Sequence, residues 1–355
     1  MRAIIFDGER LRLEHDVTVR DPGPGEVKVR VLRSGICHSD LNMVAAGGPS
    51  PIVLGHEAAG EVAALGPGIT GFTPGERVVV GTQTPCGACR ECRRGTPANC
   101  DATWGIEPRT PFSWNGQPTF SFANVSSFAE EIVVRASQLY RIGDLAPEQA
   151  ALIGCAVSTG YAAARVLGAA APGDRVAVIG VGGIGVNAIA GAVLAGAEVL
   201  AVDLNPDKEP AARAAGAGAF LVTKRAMDRE AMAQAMRDAF APIDTVIECS
   251  GAPIAAEAAV AAAKRGGRVV LIGQTKPGAR LDLSLDAVTF GREIVGQLNG
   301  GARPEAHYPE LIEHARAGRI DLAAQVTRVW PLEQFADAIA ALGAGEVTRA
   351  VLDLT

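Results

Sequence analysis

Up to about residue 150 the apolar positions come in short runs, broken by turn dipeptides such as Pro22-Gly23, Pro24-Gly25, Gly66-Pro67 and Pro74-Gly75. Val27-Lys28-Val29-Arg30-Val31 alternates as a half-buried strand does, and Arg77-Val78-Val79-Val80 is a shorter, more buried one. From about 157 to 297 β-branched runs alternate instead with alanine-rich helical stretches, the pattern of a doubly wound parallel sheet. Within it 244–248 and 268–273 read as strands. The last stretch holds two amphipathic helices, around 308–317 and 332–342, and a strand near 350–354.

One stretch of the alternating part is more specific. Arg175-Val176-Ala177-Val178-Ile179 reads as a buried strand and runs directly into Gly180-Val181-Gly182-Gly183-Ile184-Gly185. In a G-x-G-x-x-G turn the first glycine permits the tight bend, the second lets a pyrophosphate approach the backbone, and the third lets helix pack on strand. An apolar helix over 186–195 follows, stopped by Gly196, and then the strand Val199-Leu200-Ala201-Val202, which ends in Asp203. An acidic residue there accepts the ribose hydroxyls of NAD and repels a 2′-phosphate, and no Arg follows directly.

The chain has 355 residues, enough for two domains, with 48% apolar residues to fill their cores. No uninterrupted apolar window approaches the ~18 residues of a membrane span. Residues 1–7 read as a strand, not a signal peptide, so a cytoplasmic protein without a membrane partner is expected. A net charge of −6, with no basic cluster outside the cysteine-rich stretch, argues against nucleic acid.

Seven cysteines in such a chain point to metal or catalysis more than to disulfides. Cys86, Cys89, Cys92 and Cys100 fall close together, with Gly87, Gly95 and Pro97 to bend the loop. Four such thiolates can wrap one Zn²⁺ and leave no open position, the structural type of site; free or paired cysteines are the alternative. Arg90, Arg93 and Arg94 would offset the charge of that complex. Cys37 lies in Gly35-Ile36-Cys37-His38-Ser39-Asp40, His56 in Gly55-His56-Glu57, and Cys155 after Gly154, each at the edge of a β element. On residue type alone Ser39 reads as a turn residue, Glu57 as a surface charge and Cys249 as a small buried hydrophobe. His15, His307 and His314 have no partner pattern and are expected to be exposed.

These segments, in this order ahead of the glycine turn and with the cysteine lobe between the second and third, resemble the zinc-containing alcohol dehydrogenases of the medium-chain dehydrogenase/reductase superfamily. The resemblance covers the whole chain and includes 22–27, 154–161 and Glu248-Cys249-Ser250-Gly251. It implies an α/β protein with a GroES-like β-rich catalytic domain (1–156 and 299–355, carrying the lobe 86–100) and a Rossmann coenzyme domain (157–298), the site lying between them. It implies two zinc ions per chain, one structural and one catalytic, the latter on Cys37, His56 and Cys155. Ser39 matches the hydroxyl that takes the alcohol's proton, Asp40 the carboxylate that orients the ligand histidine, and Glu57 the acidic residue beside the metal. Thr159 and Ile184 match residues flanking the nicotinamide, Lys208 a ribose contact, and His38 and Arg349 pyrophosphate contacts. The resemblance also implies a homodimer, with a tetramer as the alternative.

Two departures stand out. Where many relatives have a proton-relay histidine this chain has Asn42, which cannot titrate. Residues 112–128 resemble the dimeric animal-type enzymes, whereas 101–111 is shorter. By that match Phe122 and Ala123 line the substrate channel, with Thr82, Leu298, Trp104 and Gln274 nearby, and such a pocket favours a bulky or functionalised alcohol. The expected activity is hydride transfer between an alcohol and its aldehyde or ketone and NAD(H). A polyol or amino-alcohol dehydrogenase is the alternative, although those commonly carry glutamate where Cys155 stands; a non-catalytic nucleotide-binding protein is another.

Overall fold

The alternation at 27–31 belongs to Glu26–Ile36, the longest strand among the described residues, which are 1–101, 109–276, 278–289 and 291–355 of a computed structural model. Along one side it pairs antiparallel with Glu57–Leu65, and the sheet continues through Arg77–Val80 to Leu139–Arg141. Its other side is shared by Glu131–Arg135, opposite residues 26–30, and Arg349–Asp353, which in turn pairs with Val326–Pro331. A second sheet, in the order Leu11–Glu14, Ala3–Phe6, Ile52–Val53, Gln117–Ser121, Phe112–Trp114, Thr18–Val19, shares an apolar core with the first through Ile4, Ile5, Ile36, Ile52, Leu54 and Phe128.

Register decides where the chemistry collects. Gly35 faces Glu57 and Ile36 faces Ala350. The residues just past these pairs, Cys37, His56 and Arg349, therefore meet at one end of the sheet although far apart in sequence. Gly35 is required there, because a Cβ would overlap the Glu57 carboxylate. The helix Pro147–Leu152, which opens with proline at a position where no N–H is needed, continues through a π turn, Ile153–Val157, that carries Cys155. The run Pro147–Leu167 is long and apolar enough to cross a membrane, but 78% of its most apolar window is buried in the fold, as expected of a core helix.

These elements form one unit, Met1–Gly95, Cys100–Cys155 and Pro304–Thr355; the other comprises Thr96–Asn99 and Ala156–Arg303. The second unit is a parallel sheet in the order Ala219–Val222, Glu198–Asp203, Arg175–Ile179, Thr245–Glu248, Arg268–Leu271, Glu293–Val295. The order reverses between Arg175–Ile179 and Thr245–Glu248, the switch point at which doubly wound sheets bind dinucleotides. Alanine, valine and isoleucine bury the sheet on both faces, which is why its strands read as unbroken apolar runs.

The histidine expectations need correction. His307 is only 5% exposed, because the buried residues of helix Pro304–Arg316 recur at 304, 307, 308, 311 and 312 and the histidine falls on that stripe. His314 is half-buried and accepts a hydrogen bond from Arg319 Nε at 2.7 Å; His15 is exposed.

Candidate functional site

At the shared end of the first sheet the ligand atoms of Cys37, His56, Glu57 and Cys155 all lie within 4.8 Å of one another. Asp40, 1% exposed, holds two of these segments in place. Its Oδ1 accepts from Gly55 N at 3.1 Å and lies 3.0 Å from His56 Nδ1, and its Oδ2 accepts from Cys37 N at 2.9 Å. With Nδ1 turned to Asp40, the imidazole presents Nε2 to the cluster. Ser39 Oγ lies 3.1 Å from Cys37 Sγ and 3.5 Å from His56 Nε2. The Phe122 ring stands edge-on to His56, with centroids 5.5 Å apart, and closes one side with an apolar wall.

The electrostatics follow from burial. The Cys155 thiol donates to Cys37 and, with His56 adding to its effect, holds the Cys37 thiol well below its usual range; Cys155 itself is pushed well above by Cys37 and by burial. Burial lowers the His56 pKa, but Asp40 and Cys37 more than reverse this and hold it well above the ordinary imidazole value. Burial raises the Glu57 carboxyl against the pull of Arg349. The Arg349 guanidinium is turned onto Glu57 Oε2 and buried, because the pairing of Ile36 with Ala350 brings it beside that strand end. Among the described residues Glu57 Oε1 has no hydrogen-bond partner although it is fully buried.

Two thiols, an imidazole nitrogen and an orphaned carboxylate oxygen around one point are a donor set for a divalent cation. Zn–S and Zn–N bonds of about 2.0–2.3 Å place tetrahedral ligands roughly 3.3–3.8 Å apart, compatible with the spread here. Cys86, Cys89, Cys92 and Cys100 form a second group within the same limit. Cys89 and Cys100 have sulfurs 3.9 Å apart, far from the ~2.05 Å of a disulfide and close to the edge of a ZnS₄ tetrahedron. The N–H groups of Cys86, Cys89 and Cys92 point at the sulfurs of Cys100, Cys86 and Cys89 at 3.3–3.4 Å, which suits thiolates.

In the second unit the glycine turn has the construction a dinucleotide needs. Gly180 adopts φ +89°, a Cβ on Gly182 would meet nothing within 4 Å, and a Cβ on Gly185 would overlap the Gly180 carbonyl. Asp203 Oδ2 accepts from Val181 N at 2.7 Å, which ties the acidic residue to the turn. Gly183 and Ile184 begin the helix Gly183–Leu194, Thr159 is buried in Ser158–Ala162, and Lys208 is half-buried in the turn Pro206–Lys208. Gln274 and Leu298 are exposed in the second unit; in the first, His38 is exposed, Thr82 half-buried, and Ala123 half-buried at φ +50°. Trp104 lies outside the described residues. Cys249 is half-buried, packs against the second unit's core, and its thiol is pushed up by burial.

Sequence reasoning gave Glu248 no role. It is 2% exposed at the end of Thr245–Glu248 and accepts from the N–H groups of Ser250 at 2.6 Å and Gly251 at 3.0 Å, fixing the loop next to Gly180. An acidic residue two positions before Ser-Gly was the available signal.

Residues 23–144 match the family described as the alcohol dehydrogenase GroES-like domain, and residues 183–316 the zinc-binding dehydrogenase family. S-(hydroxymethyl)glutathione dehydrogenase of Escherichia coli O1:K1 is 34% identical over 350 residues, 95% of each chain. Among solved structures, an alcohol dehydrogenase zinc-binding domain protein from Burkholderia ambifaria superposes with a TM-score of 0.90 at 28% identity, covering 100% of this chain and 98% of that one. A thermostable alcohol dehydrogenase from Pyrobaculum aerophilum gives 0.83 at 30% identity, covering 99% of both. With donor sets for two zinc ions and a dinucleotide turn already in place, this likeness along the full length shows that the chain belongs to the zinc-containing alcohol dehydrogenases of the medium-chain dehydrogenase/reductase superfamily.

Proposed function

We propose that this zinc- and NAD-dependent enzyme oxidises a bulky or functionalised alcohol, or reduces its carbonyl, with Cys37, His56 and Cys155 holding the catalytic zinc. The observation that carries this reading is the convergence of those three ligand atoms at one sheet end, with Ser39 Oγ beside two of them. When bound, zinc supplies Lewis acidity toward an alcohol oxygen, and NAD supplies the hydride acceptor. The Ser39 hydroxyl would accept the alcohol's proton as it releases its own onward to solvent water. Asp40 fixes the imidazole so that Nε2 faces the metal, and the backbone bond it accepts from Cys37 holds the thiolate segment in the same frame. Arg349 pairs with Glu57 Oε2 and offsets the charge of that buried carboxylate beside the ligands.

Cys86, Cys89, Cys92 and Cys100 hold the second zinc, which closes the lobe and takes no part in chemistry. Gly180, Gly182 and Gly185 receive the cofactor pyrophosphate, and Asp203 selects NAD over NADP by repelling a 2′-phosphate. Thr159 and Ile184 flank the nicotinamide and Lys208 the ribose. Residues 1–156 with 299–355 form the catalytic domain and 157–298 the coenzyme domain, and the enzyme works as a homodimer. Thr82, Phe122 and Ala123, all in the first unit, give the pocket its width and polarity. The name of the Escherichia coli relative, S-(hydroxymethyl)glutathione dehydrogenase, which specifies a hydroxymethyl group on the sulfur of glutathione, supports a functionalised primary alcohol. Steady-state oxidation of a panel containing ethanol, benzyl alcohol and S-(hydroxymethyl)glutathione tests this. The highest kcat/KM should fall on a bulky or functionalised member, and a clear preference for ethanol would refute the substrate class.

A further inference from the structure

Among the three thiol and imidazole ligands, only Cys155 is delivered by a helix and not by a strand end. It sits in the π turn Ile153–Val157, a wider turn that interrupts the helical hydrogen-bond ladder and is found mostly at functional positions. On one side the residue before it is wedged against the strands: a Cβ on Gly154 would come to 2.9 Å from the Val80 carbonyl oxygen, 3.5 Å from Glu57 Cα and 3.6 Å from the His56 carbonyl oxygen. Tyr308 Oη also donates to the Gly154 carbonyl at 2.8 Å. The tyrosine has little freedom. It is 1% exposed, its ring stacks on Tyr140 with centroids 4.6 Å apart, and a Cβ on Gly81 would already come within 3.1 Å of its Cζ and Oη. Gly154, Cys155, Tyr308 and the residues they touch belong to the first unit, whose boundary falls within the turn after Cys155.

We propose that Tyr308 is a positioning residue for the catalytic metal: its hydroxyl pins the Gly154 carbonyl and thereby fixes the Cys155 sulfur relative to Cys37 and His56. This rests on the reading of Cys37, His56 and Cys155 as the ligand set. Removing the hydroxyl takes from the buried Gly154 carbonyl the donor that ties it to helix Pro304–Arg316. The turn then relaxes, and the thiolate with it. A tyrosine that only packed would act on the unit as a whole, and the Cys86–Cys100 site, which lies in the same unit, would respond equally.

The test uses holoenzyme and follows zinc release into 4-(2-pyridylazo)resorcinol. Wild type should release zinc in two phases, one of them missing in Cys37→Ser; absence of that difference would refute the ligand assignment itself and the proposal with it. Given the difference, Tyr308→Phe should accelerate the Cys37-dependent phase about tenfold, the range found when groups supporting a ligand are removed, and leave the other phase unchanged. The visible absorption bands of the cobalt-substituted protein, which report thiolate geometry, should shift as well. Unchanged release, or equal acceleration of both phases, overturns the proposal. Should Tyr308→Phe not fold, 3-fluorotyrosine at position 308 keeps the ring and alters only the donor; a Cys37-dependent release rate identical to wild type would then overturn it.

Discussion

Asp40→Asn replaces one carboxylate oxygen by NH₂ with almost no change in volume, so its effect isolates the hydrogen bonds that frame the catalytic ligands. The carboxylate takes three N–H groups, two on Oδ1 from Gly55 and His56 and one on Oδ2 from Cys37. An asparagine in its best orientation keeps the two bonds on Oδ1 and turns its NH₂ toward the Cys37 N–H, so one bond is lost and two donors face each other. Flipping the amide loses two bonds and is worse. A buried group left unpaired costs about 1–3 kcal/mol, and that is the expected loss of stability. Loss of the negative charge behind His56 acts on the metal separately: groups supporting a ligand histidine typically contribute 10–100-fold in affinity, or about 1.4–2.7 kcal/mol. Chelator competition with metal analysis should therefore show the Cys37-dependent zinc held 10–100-fold more weakly, with the Cys86–Cys100 zinc unaffected. If folded Asp40→Asn held that zinc within about threefold of wild type, Asp40 would not be orienting His56 and the reasoning would fail.

Replacing Cys92 by Ser should eject one zinc and lower the thermal midpoint, whereas Cys37→Ser should lose the other zinc, keep the fold and abolish turnover; metal analysis and calorimetry read both. Asp203→Gly should narrow the preference for NAD over NADP, but equal kcat/KM for the two cofactors in wild type would contradict the assignment. Asn42 is exposed on helix His38–Ala45, within reach of solvent. Asn42→His should raise alcohol oxidation roughly threefold to tenfold near pH 7 and little at about pH 9–10, where hydroxide takes the proton directly. Superimposable pH profiles, in the presence of a primary deuterium isotope effect, would show that the proton leaves by another route.

The parts of this protein legible from sequence are those made by neighbours in sequence. The glycine turn and the cysteine lobe each fit within a short stretch, and the Asp40 bond back to Cys37 N spans three residues. What sequence alone left open was register. Glu57 on residue type is a surface charge; it is fully buried because strand Glu57–Leu65 pairs Glu57 with Gly35, which has no side chain in its way. Arg349 meets it only because the last strand returns to pair with Glu26–Ile36. The strands Ala219–Val222 and Glu293–Val295 gave little signal since they lie at the sheet's edges, where burial is partial and no apolar run is needed. His307 misled because its type outweighed its place in a helical stripe.

The central claim is that zinc on Cys37, His56 and Cys155 supports hydride transfer from an alcohol to NAD. Incubation of holoenzyme containing two zinc ions per chain with a 1,1-dideuterated primary alcohol and NAD, followed by mass analysis of the reduced cofactor, tests it most directly. One deuterium should appear per NADH formed, and the signal should vanish in Cys37→Ser that retains the Cys86–Cys100 zinc. NADH without deuterium, or unchanged transfer in that variant, would contradict the account.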